Sequence, residues 1–356
     1  MRAAGSPNGS ASAPATGTSA HLLAALRSRP ILCLALLTPG IPEYLSSSSP
    51  LLNLVVNPGW FFLGLAINVG QYTAGALLIR EALIRWRKGP ATGLLLALAY
   101  GITEEGLGDN TLFNSTHGAD GVLGHFGRFA GVNWVWACGV LAFHVVFSIG
   151  LPIVLLGLAL PSTRGRSLLG SSGVAVCFGT LVASTLVEWA IVLRAFGFWM
   201  GGPLFVGSLG AIGVLTAAAY RIPSGWGAPR NPSPTARPRT IAVAGFALFP
   251  VLFVTEAVFE RWPSSAPVAL VVLLLVLGAF FEGLRRSLGR NGNDYALVAV
   301  AFGLLVFLAI FGLLLSLPVA YNLPLAVVVV LFLLRLERAY RPTAAPARGP
   351  GTSSAA

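Results

Sequence analysis

Residues 60–88, WFFLGLAINVGQYTAGALLIREALIRWRK, decide the fold class of this chain. From Trp60 to about Leu83 the stretch is mainly apolar, and it has the roughly 20 residues that a helix needs to cross the hydrocarbon core of a bilayer. It ends in Arg-Trp-Arg-Lys at positions 85–88, and such basic and aromatic side chains are typical of a membrane interface. The segment is therefore predicted to be a membrane-spanning helix.

The composition of the whole chain points to the same environment. It is 55% hydrophobic and only 10% charged, so it has too little polar surface to cover its apolar mass in water. The net charge of +11 could suggest nucleic acid, but the basic residues stand in short clusters beside the apolar runs, where they contact anionic head groups. The expected partner is the lipid bilayer, and nucleic-acid binding is not expected.

Ten apolar runs are predicted to be spans, and backbone facing lipid must be helical. The predicted fold is therefore an all-α, polytopic bundle of about ten transmembrane helices. The first run is interrupted by Pro39, Gly40 and Pro42 and lacks a signal-peptide cleavage site, so we interpret it as a retained span broken by prolines. The predicted spans are 30–45, 60–83, 91–108, 134–160, 173–194, 203–220, 240–259, 266–283, 295–317 and 323–337.

The basic residues predict the orientation. Of the 23 Lys and Arg residues, only Arg128, Arg194 and Arg261 fall on one predicted face, and the other 20 fall on the opposite one. By the positive-inside rule this indicates a plasma-membrane protein with both termini in the cytoplasm. A cysteine at Ser47 or Asp120 is then expected to react with a reagent added outside, and one at Ser233 is not.

Changes in composition predict five segments. The two ends and the Pro-rich basic stretch lack apolar runs. The segments are a disordered cytoplasmic N-terminus (1–29), a six-span domain with the polar site (30–220), a basic cytoplasmic linker (221–239), a four-span domain (240–340) and a disordered tail (341–356).

Ionisable residues inside spans are costly and commonly mark a site. Glu104 and Glu105 lie near the outer end of the third span, and two adjacent carboxyls in a poorly hydrated place are not expected to be ionised together. On an α-helix, Glu105 shares a face with Gly101 and Asp109, while Glu104 lies about 100° away. The pair is a candidate catalytic or proton-holding site; alternatively, it is a wet helix end.

Further polar residues are predicted to line a site or pathway in the same six spans. His144 and Ser148 are four residues apart near mid-membrane, so they could form a site or join two helices. Glu43 follows the prolines of the first span and could instead cap a loop. The other pathway candidates are Asn68, Gln71, Asp109, Thr180, Ser184 and Glu188, of which Asn68 and Gln71 also suit helix packing.

The loop 109–132 is interpreted as a lid over an outward-opening cavity. It carries His117, Asp120 and His125 among several glycines. The spacing from His117 to His125 matches no established ligand signature, and the three cysteines lie in apolar segments without metal-site spacing. No metal site is predicted, and the sequence indicates no particular cofactor.

The pair Glu104-Glu105 on one span and His144 on the next resembles the CAAX-protease and bacteriocin-processing membrane family. That family places paired Glu and later His residues inside a helix bundle to activate water. The family pattern has Arg four residues after the second Glu, where this chain has Asp109, and Asn or Asp four residues after the His, where it has Ser148.

A larger part of the chain, from about residue 39 to 161, is similar to uncharacterised prokaryotic multi-pass membrane proteins. Three motifs carry this similarity, and it implies no known activity. The motifs are Glu-Glu-Gly-Leu at 104–107, Asn-Trp-Val-Trp at 133–136 and His-x-x-Phe-Ser-Ile at 144–149.

Three functional hypotheses follow, and the sequence favours the first. A carrier or permease would use Glu43, Glu105 and Glu188 as proton or cation relays at a broken helix, although no internal repeat accompanies them. An intramembrane hydrolase, metal-assisted or not, would use Glu104 or Glu105 as general base with His144 assisting. A non-catalytic membrane assembly protein would need none of these residues. Whether the chain is an enzyme, and on which ion, small molecule or lipid it acts, is left open.

Overall fold

The fold was established from a computed structural model, which describes residues 29–116, 124–229, 236–289 and 294–342. This part of the chain is 77% helical with almost no strand, which confirms the predicted all-α bundle. Continuous helical stretches are numbered α1 to α11 in chain order. They are α1 (Pro30–Leu45), α2 (Asn53–Val56), α3 (Pro58–Arg85), α4 (Pro90–Gly101 with Ile102–Gly108), α5 (Trp134–Ala159), α6 (Ser171–Phe196), α7 (Gly202–Arg221), α8 (Pro238–Phe259), α9 (Ala266–Ser287), α10 (Asp294–Leu315) and α11 (Leu323–Tyr340).

Seven of these stretches are long and apolar enough to cross a membrane by length and composition. They are α3, α5, α6, α7, α8, α9 and α10, where α9 is counted together with the short turn Pro263–Ser265 that precedes it. The stretches α1, α4 and α11 coincide with the other three predicted spans, but the count of ten stays a prediction. A helix begins and ends within a few residues of each predicted span because the apolar runs fix both limits.

The predicted break in α1 is a change of helix type. Residues Pro30–Pro39 are α-helical, and the chain continues as the wider π-helix Gly40–Leu45 without a gap. Pro42 has no N–H with which to continue the α-helical pattern. The Ser46 hydroxyl donates to the carbonyl oxygens of Pro42 and Glu43, which supplies a partner for two groups at this helix end.

One hydrophobic cluster joins the first helices to the last. It includes Leu45 of α1, Phe147 of α5, Phe249 of α8 and Leu308 of α10, each at most 1% exposed. The two-domain division at residues 221–239 stays a prediction, but the apolar core contains side chains from both predicted halves.

The contact between α10 and the end of α1 depends on Gly312. A Cβ atom at this position would overlap the carbonyl oxygen of Leu45, and the Gly312 carbonyl accepts a hydrogen bond of 2.8 Å from Ser47 Oγ. Asn322 Nδ2 lies in the same contact and donates to the carbonyl of Tyr44 at 2.8 Å. The backbones of the two helices therefore meet directly at Gly312.

We expect Gly312→Ala to destabilise the protein by about 1–3 kcal/mol, because the added methyl group meets backbone atoms that have no free space. Gly278→Ala is the matched control, since a Cβ there has nothing within 4 Å. Unfolding in mixed detergent and denaturing micelles measures both free energies. Equal stability of the two variants would show that the α1–α10 contact is not tight.

The orientation stays a prediction, and the structure changes the positions at which it is best tested. Ser47 is only 8% exposed, so a cysteine there is a poor reporter of the side on which its loop lies, and its labelling stays a prediction. Asp120 and Ser233 lie outside the described residues. Ser48 and Ser162 are exposed on loops at opposite predicted faces.

With the native cysteines removed, we expect a charged maleimide added outside intact cells to label Ser48→Cys and to spare Ser162→Cys until the membrane is permeabilised. The positive-inside rule places these two loops on opposite sides of the membrane. The opposite labelling pattern would overturn the orientation.

Candidate functional site

Four turns of π-helix lie in the described part of the chain, one in each of α1, α3, α4 and α5. Such turns are rare and occur frequently at functional sites. In this protein all four carry polar residues that the sequence singled out, and they lie on helices that pack together around one interior region. The turns are Gly40–Leu45, Val69–Thr73, Ile102–Gly108 and His144–Gly150.

The centre of this region is formed by Glu104, Glu105 and His144, which we call the Glu–His cluster. His144 Nε2 lies 2.8 Å from Glu105 Oε1 and 2.9 Å from Glu104 Oε2. The three residues are 6%, 7% and 2% exposed, so the contacts are made away from bulk solvent. A nitrogen and two carboxylate oxygens in this arrangement could bind a metal ion or position a water molecule.

The helix type explains how adjacent glutamates reach the same nitrogen. Expected α-helical geometry separates Glu104 from Glu105 by about 100°, but Ile102–Gly108 is π-helical and turns less per residue. Gly101 brings α4 close to α5, because a Cβ there would lie 2.8 Å from Leu141 Cδ2 and 3.4 Å from His144 Cβ. Both side chains therefore face His144.

Each member of the Glu–His cluster has a second polar partner. Ser148 Oγ lies 3.0 Å from His144 Nδ1, and the Tyr72 hydroxyl lies 3.0 Å from Glu104 Oε1. Thr111 Oγ1 donates to Glu105 Oε2 and accepts a 3.0 Å hydrogen bond from Trp136 Nε1. These contacts fix the orientation of the imidazole ring and of both carboxyl groups.

Tyr72 connects the Glu–His cluster to Glu43. Its hydroxyl is 2.5 Å from Glu43 Oε1 as well as 3.0 Å from Glu104 Oε1. A phenol has a single hydrogen to donate, so one of these two contacts needs a proton from a carboxyl group. Ser49 continues the chain, since its hydroxyl donates to Glu43 Oε2 at 2.7 Å and accepts from Asn68 Nδ2 at 3.1 Å.

The polar residues of α6 lie beside this network. Gln71 Nε2 donates to Glu188 Oε2 at 3.0 Å, and Glu188 Oε2 occupies the space that a Cβ at Gly108 would need. Thr180 and Ser184 pack against Gly70 of α3. The structure thus places α6 against α3 but brings none of these three α6 residues into the Glu–His cluster.

Asp109, the remaining pathway candidate, closes the π-helical turn of α4. Its backbone N–H donates to the Glu104 carbonyl at 2.8 Å, and the residue is half-buried. The next residue, Asn110, is completely buried and donates from Nδ2 to the Gly108 carbonyl at 2.9 Å. This hydrogen bonding fixes the end of the helix that carries the two glutamates.

Sequence reasoning did not find Tyr72, Ser49 or Thr111. Tyr72 carried the clearest signal, because a tyrosine in mid-span buries its hydroxyl and needs a hydrogen-bond partner there. Ser49 and Thr111 lie in segments predicted to be loops, and nothing in their sequence neighbourhood indicates an inward direction.

The part of the predicted lid that the structure describes packs beside the cluster. Leu112 and Phe113 are buried, whereas His125 is exposed; His117 and Asp120 lie outside the described residues. Arg128 holds the segment together by donating to the Phe113 carbonyl at 2.6 Å, and partial burial lowers the pKa of its guanidinium group.

Two cavities lie near this end of the bundle. One of about 690 Å³ is bounded by α9 and by the hairpin of two short antiparallel strands, Arg128–Phe129 and Val132–Asn133, and is lined by none of the predicted site residues. A smaller cavity of about 100 Å³ lies between the loop after α1 and the first turns of α3, and Ser49 is part of its wall. This small cavity therefore borders the hydrogen-bonded network that leads to the Glu–His cluster.

A bundle of long apolar helices with a buried polar centre defines a multi-pass membrane protein. The model of an uncharacterised membrane protein family matches residues 32–346, and the chain belongs to that family. This confirms the expected membership of an uncharacterised multi-pass membrane family. No curated protein and no solved structure matches the chain.

Proposed function

We propose that this protein is an intramembrane hydrolase of the glutamate type, with the Glu–His cluster as its catalytic centre. The observation that carries the proposal is the convergence of Glu105 Oε1 and Glu104 Oε2 on His144 Nε2, at 2.8 and 2.9 Å. A general base must stand within hydrogen-bonding reach of the proton that it removes, and a buried carboxylate beside an imidazole meets this requirement.

The proposed reaction is attack of water on a carbonyl group. Glu105 takes a proton from the water, whose oxygen forms a bond with the carbonyl carbon. The bond from that carbon to the leaving nitrogen or oxygen then breaks, and the leaving atom receives a proton from Glu104 or His144. Thr111 and Ser148 hold the base and the imidazole in position for these transfers.

The carrier hypothesis receives less support from the geometry. A carrier needs a continuous polar path through the bundle. Glu188 instead pairs with Gln71 and lies against Gly108 of α4, and Thr180 and Ser184 pack against Gly70, so these groups hold α6 against α3 and α4 without entering the Glu–His cluster. The chain of contacts from Ser49 through Glu43 and Tyr72 to Glu104 is the feature that favours proton transfer. The experiment below therefore also records the movement of protons across the membrane.

The class of reaction is tested with full-length protein in liposomes made from the lipids and membrane peptides of the expression host. We expect wild type to release free amines or free fatty acids, and the double variant Glu104→Gln/Glu105→Gln to release neither. Movement of protons across the liposome membrane is recorded in parallel. Proton movement without product release would favour the carrier and contradict the hydrolase.

Substrate access is proposed through the 100 Å³ cavity beside Ser49. Val55, Val56 and Trp60 near this cavity are exposed, so the surrounding surface is apolar and suited to contact with lipid. Gly64 of α3 lines the cavity, and a Cβ there would have nothing within 4 Å. A larger side chain at Gly64 can therefore fill the cavity without disturbing the packing of α3.

We expect Gly64→Leu to lower the rate of product release by about tenfold or more, since displacement of a bound group by about 1 Å can cost a hundredfold. Gly59→Leu is the matched control, because Gly59 belongs to the same helix, also has open space around it and does not line the cavity. Equal rates for the two variants would place the access route elsewhere.

A further inference from the structure

We propose that Glu104, Glu105 and His144 bind a single divalent metal ion of the zinc type. Each residue offers one ligand atom, and these three atoms lie within 4.8 Å of one another. The residues come from α4 and α5, so the two helices would hold the ion between them. The proposal deepens the hydrolase function above and rests on it only for the use made of the ion.

The hydrogen-bonding of Glu104 points to a missing ligand. Its Oε2 atom is buried and makes no hydrogen bond, although it faces His144 Nε2 at 2.9 Å. The single N–H that Nε2 can carry is engaged by Glu105 Oε1 at 2.8 Å. A buried carboxylate oxygen without a donor is costly, and a cation at the meeting point of the three atoms would satisfy it.

The geometry is close to that of a protein-bound zinc ion. Zinc takes nitrogen and carboxylate ligands at about 2.0–2.2 Å in a tetrahedral arrangement, which places ligand atoms about 3.3–3.6 Å apart. The contacts of 2.8 and 2.9 Å to Nε2 need to open by about half an ångström to reach that spacing. We expect rotation of the two glutamate side chains to provide this movement.

The partners of the three residues match what metal ligands require. A ligating histidine usually donates its second N–H to a neighbour, and ligating carboxylates are themselves hydrogen-bonded. Ser148 Oγ stands 3.0 Å from His144 Nδ1, which leaves the Nε2 lone pair for the ion. Tyr72 contacts the outer oxygen of Glu104, and Thr111 that of Glu105, so both carboxylates keep an oxygen directed at the centre.

Three protein ligands leave the fourth tetrahedral position for water, as in catalytic zinc sites. With the ion bound, Glu104, Glu105 and His144 would be its ligands, and the ion would lower the pKa of the bound water to near neutrality, which supplies the activation of water that Glu105 provides as general base in the reaction without the ion. The substrate class that suits such a site is an amide or ester carbonyl presented from the membrane. This links the ion to the hydrolase, whereas binding of the ion can be measured without any substrate.

The test uses the full-length protein in lipid nanodiscs. The protein is stripped with a chelator, incubated with Zn²⁺, washed and analysed for metal content. We expect one zinc ion per chain in wild type and in Glu256→Gln, which alters a buried carboxyl elsewhere. Glu105→Gln and His144→Ala are expected to retain less than a tenth of an ion, and Ser148→Ala to bind 10–100-fold more weakly.

X-ray absorption of the zinc-loaded wild type provides a measurement that needs no variant, since one imidazole nitrogen and several oxygens should surround the ion. Absence of stoichiometric zinc, or full zinc retention by the folded Glu105→Gln and His144→Ala proteins, would overturn the metal site. Hydrolysis by the metal-free protein would overturn the catalytic role of the ion and keep the hydrolase. Stoichiometric zinc without hydrolysis would keep the metal site and contradict the hydrolase.

Discussion

Replacing Glu105 with glutamine is expected to lower product release by about 10²–10⁴-fold, the contribution of a positioned general base. Glutamine keeps the size of the side chain and can still contact Thr111 and His144, but it cannot accept a proton from water. The loss should therefore appear in the turnover rate, with little change in expression or in elution from a sizing column.

Two further variants, in each of which another glutamate is replaced by glutamine, are the controls for this experiment. Glu256→Gln changes a carboxyl that is also buried, at 5% exposed, but lies on α8 outside the Glu–His cluster, so its rate should equal that of wild type. Glu188→Gln distinguishes the two hypotheses, because the hydrolase tolerates it and a carrier that uses Glu188 as a relay does not. An active Glu105→Gln protein would contradict the proposed role of the cluster.

Glu81→Ala is expected to destabilise the fold by about 3–5 kcal/mol, because it leaves the buried charge of Arg80 without its ion-pair partner. Arg80 and Glu81 are 5% and 1% exposed and lie 3.4 Å apart near the end of α3. Arg80 also donates to the carbonyls of Thr163 and Arg166, and Glu81 accepts from the Leu168 N–H at 2.7 Å. The pair thus joins α3 to the loop before α6.

Glu282→Ala is the matched control for this prediction. Its carboxylate also contacts two arginines, Arg285 and Arg286, at 2.6 Å, but its side chain is 36% exposed. Ion pairs that are exposed to solvent contribute about 0–1 kcal/mol. Denaturant unfolding in mixed micelles compares the two variants, and a Glu81→Ala protein as stable as Glu282→Ala would mean that the buried pair does not hold the loop.

The sequence was sufficient for the positions of the helices. A run such as 295–317 is apolar for the length of a span, and the corresponding helix Asp294–Leu315 matches it within two residues. Proline and glycine marked where α1 changes type. The start of α5 at the predicted Trp134 is stabilised by Asn133, whose side chain accepts from the Trp136 N–H. These features depend on contacts within a few residues, so local sequence determines them.

The sequence was not sufficient for the arrangement of the candidate site. The contacts of Arg80 and Glu81 with the loop 161–169, the bridge formed by Tyr72 and the approach of Glu104 to His144 all join segments that are far apart in the chain. The angle of about 100° between Glu104 and Glu105 was predicted for an α-helix, but the two residues lie in a π-helical turn. Hydropathy does not distinguish an α-helix from such a turn.

The sequence by itself thus determined that this protein is an all-α membrane bundle and that Glu104, Glu105 and His144 are candidates for a polar site inside it. The physical reason is that lipid excludes unpaired backbone groups and charges from every span, whatever its neighbours are. Only the tertiary structure decided which of those polar residues meet. Side-chain contacts depend on helix packing and on local changes of helix type, and here a close approach at Gly101 and two π-helical turns direct Glu104, Glu105 and His144 toward one point.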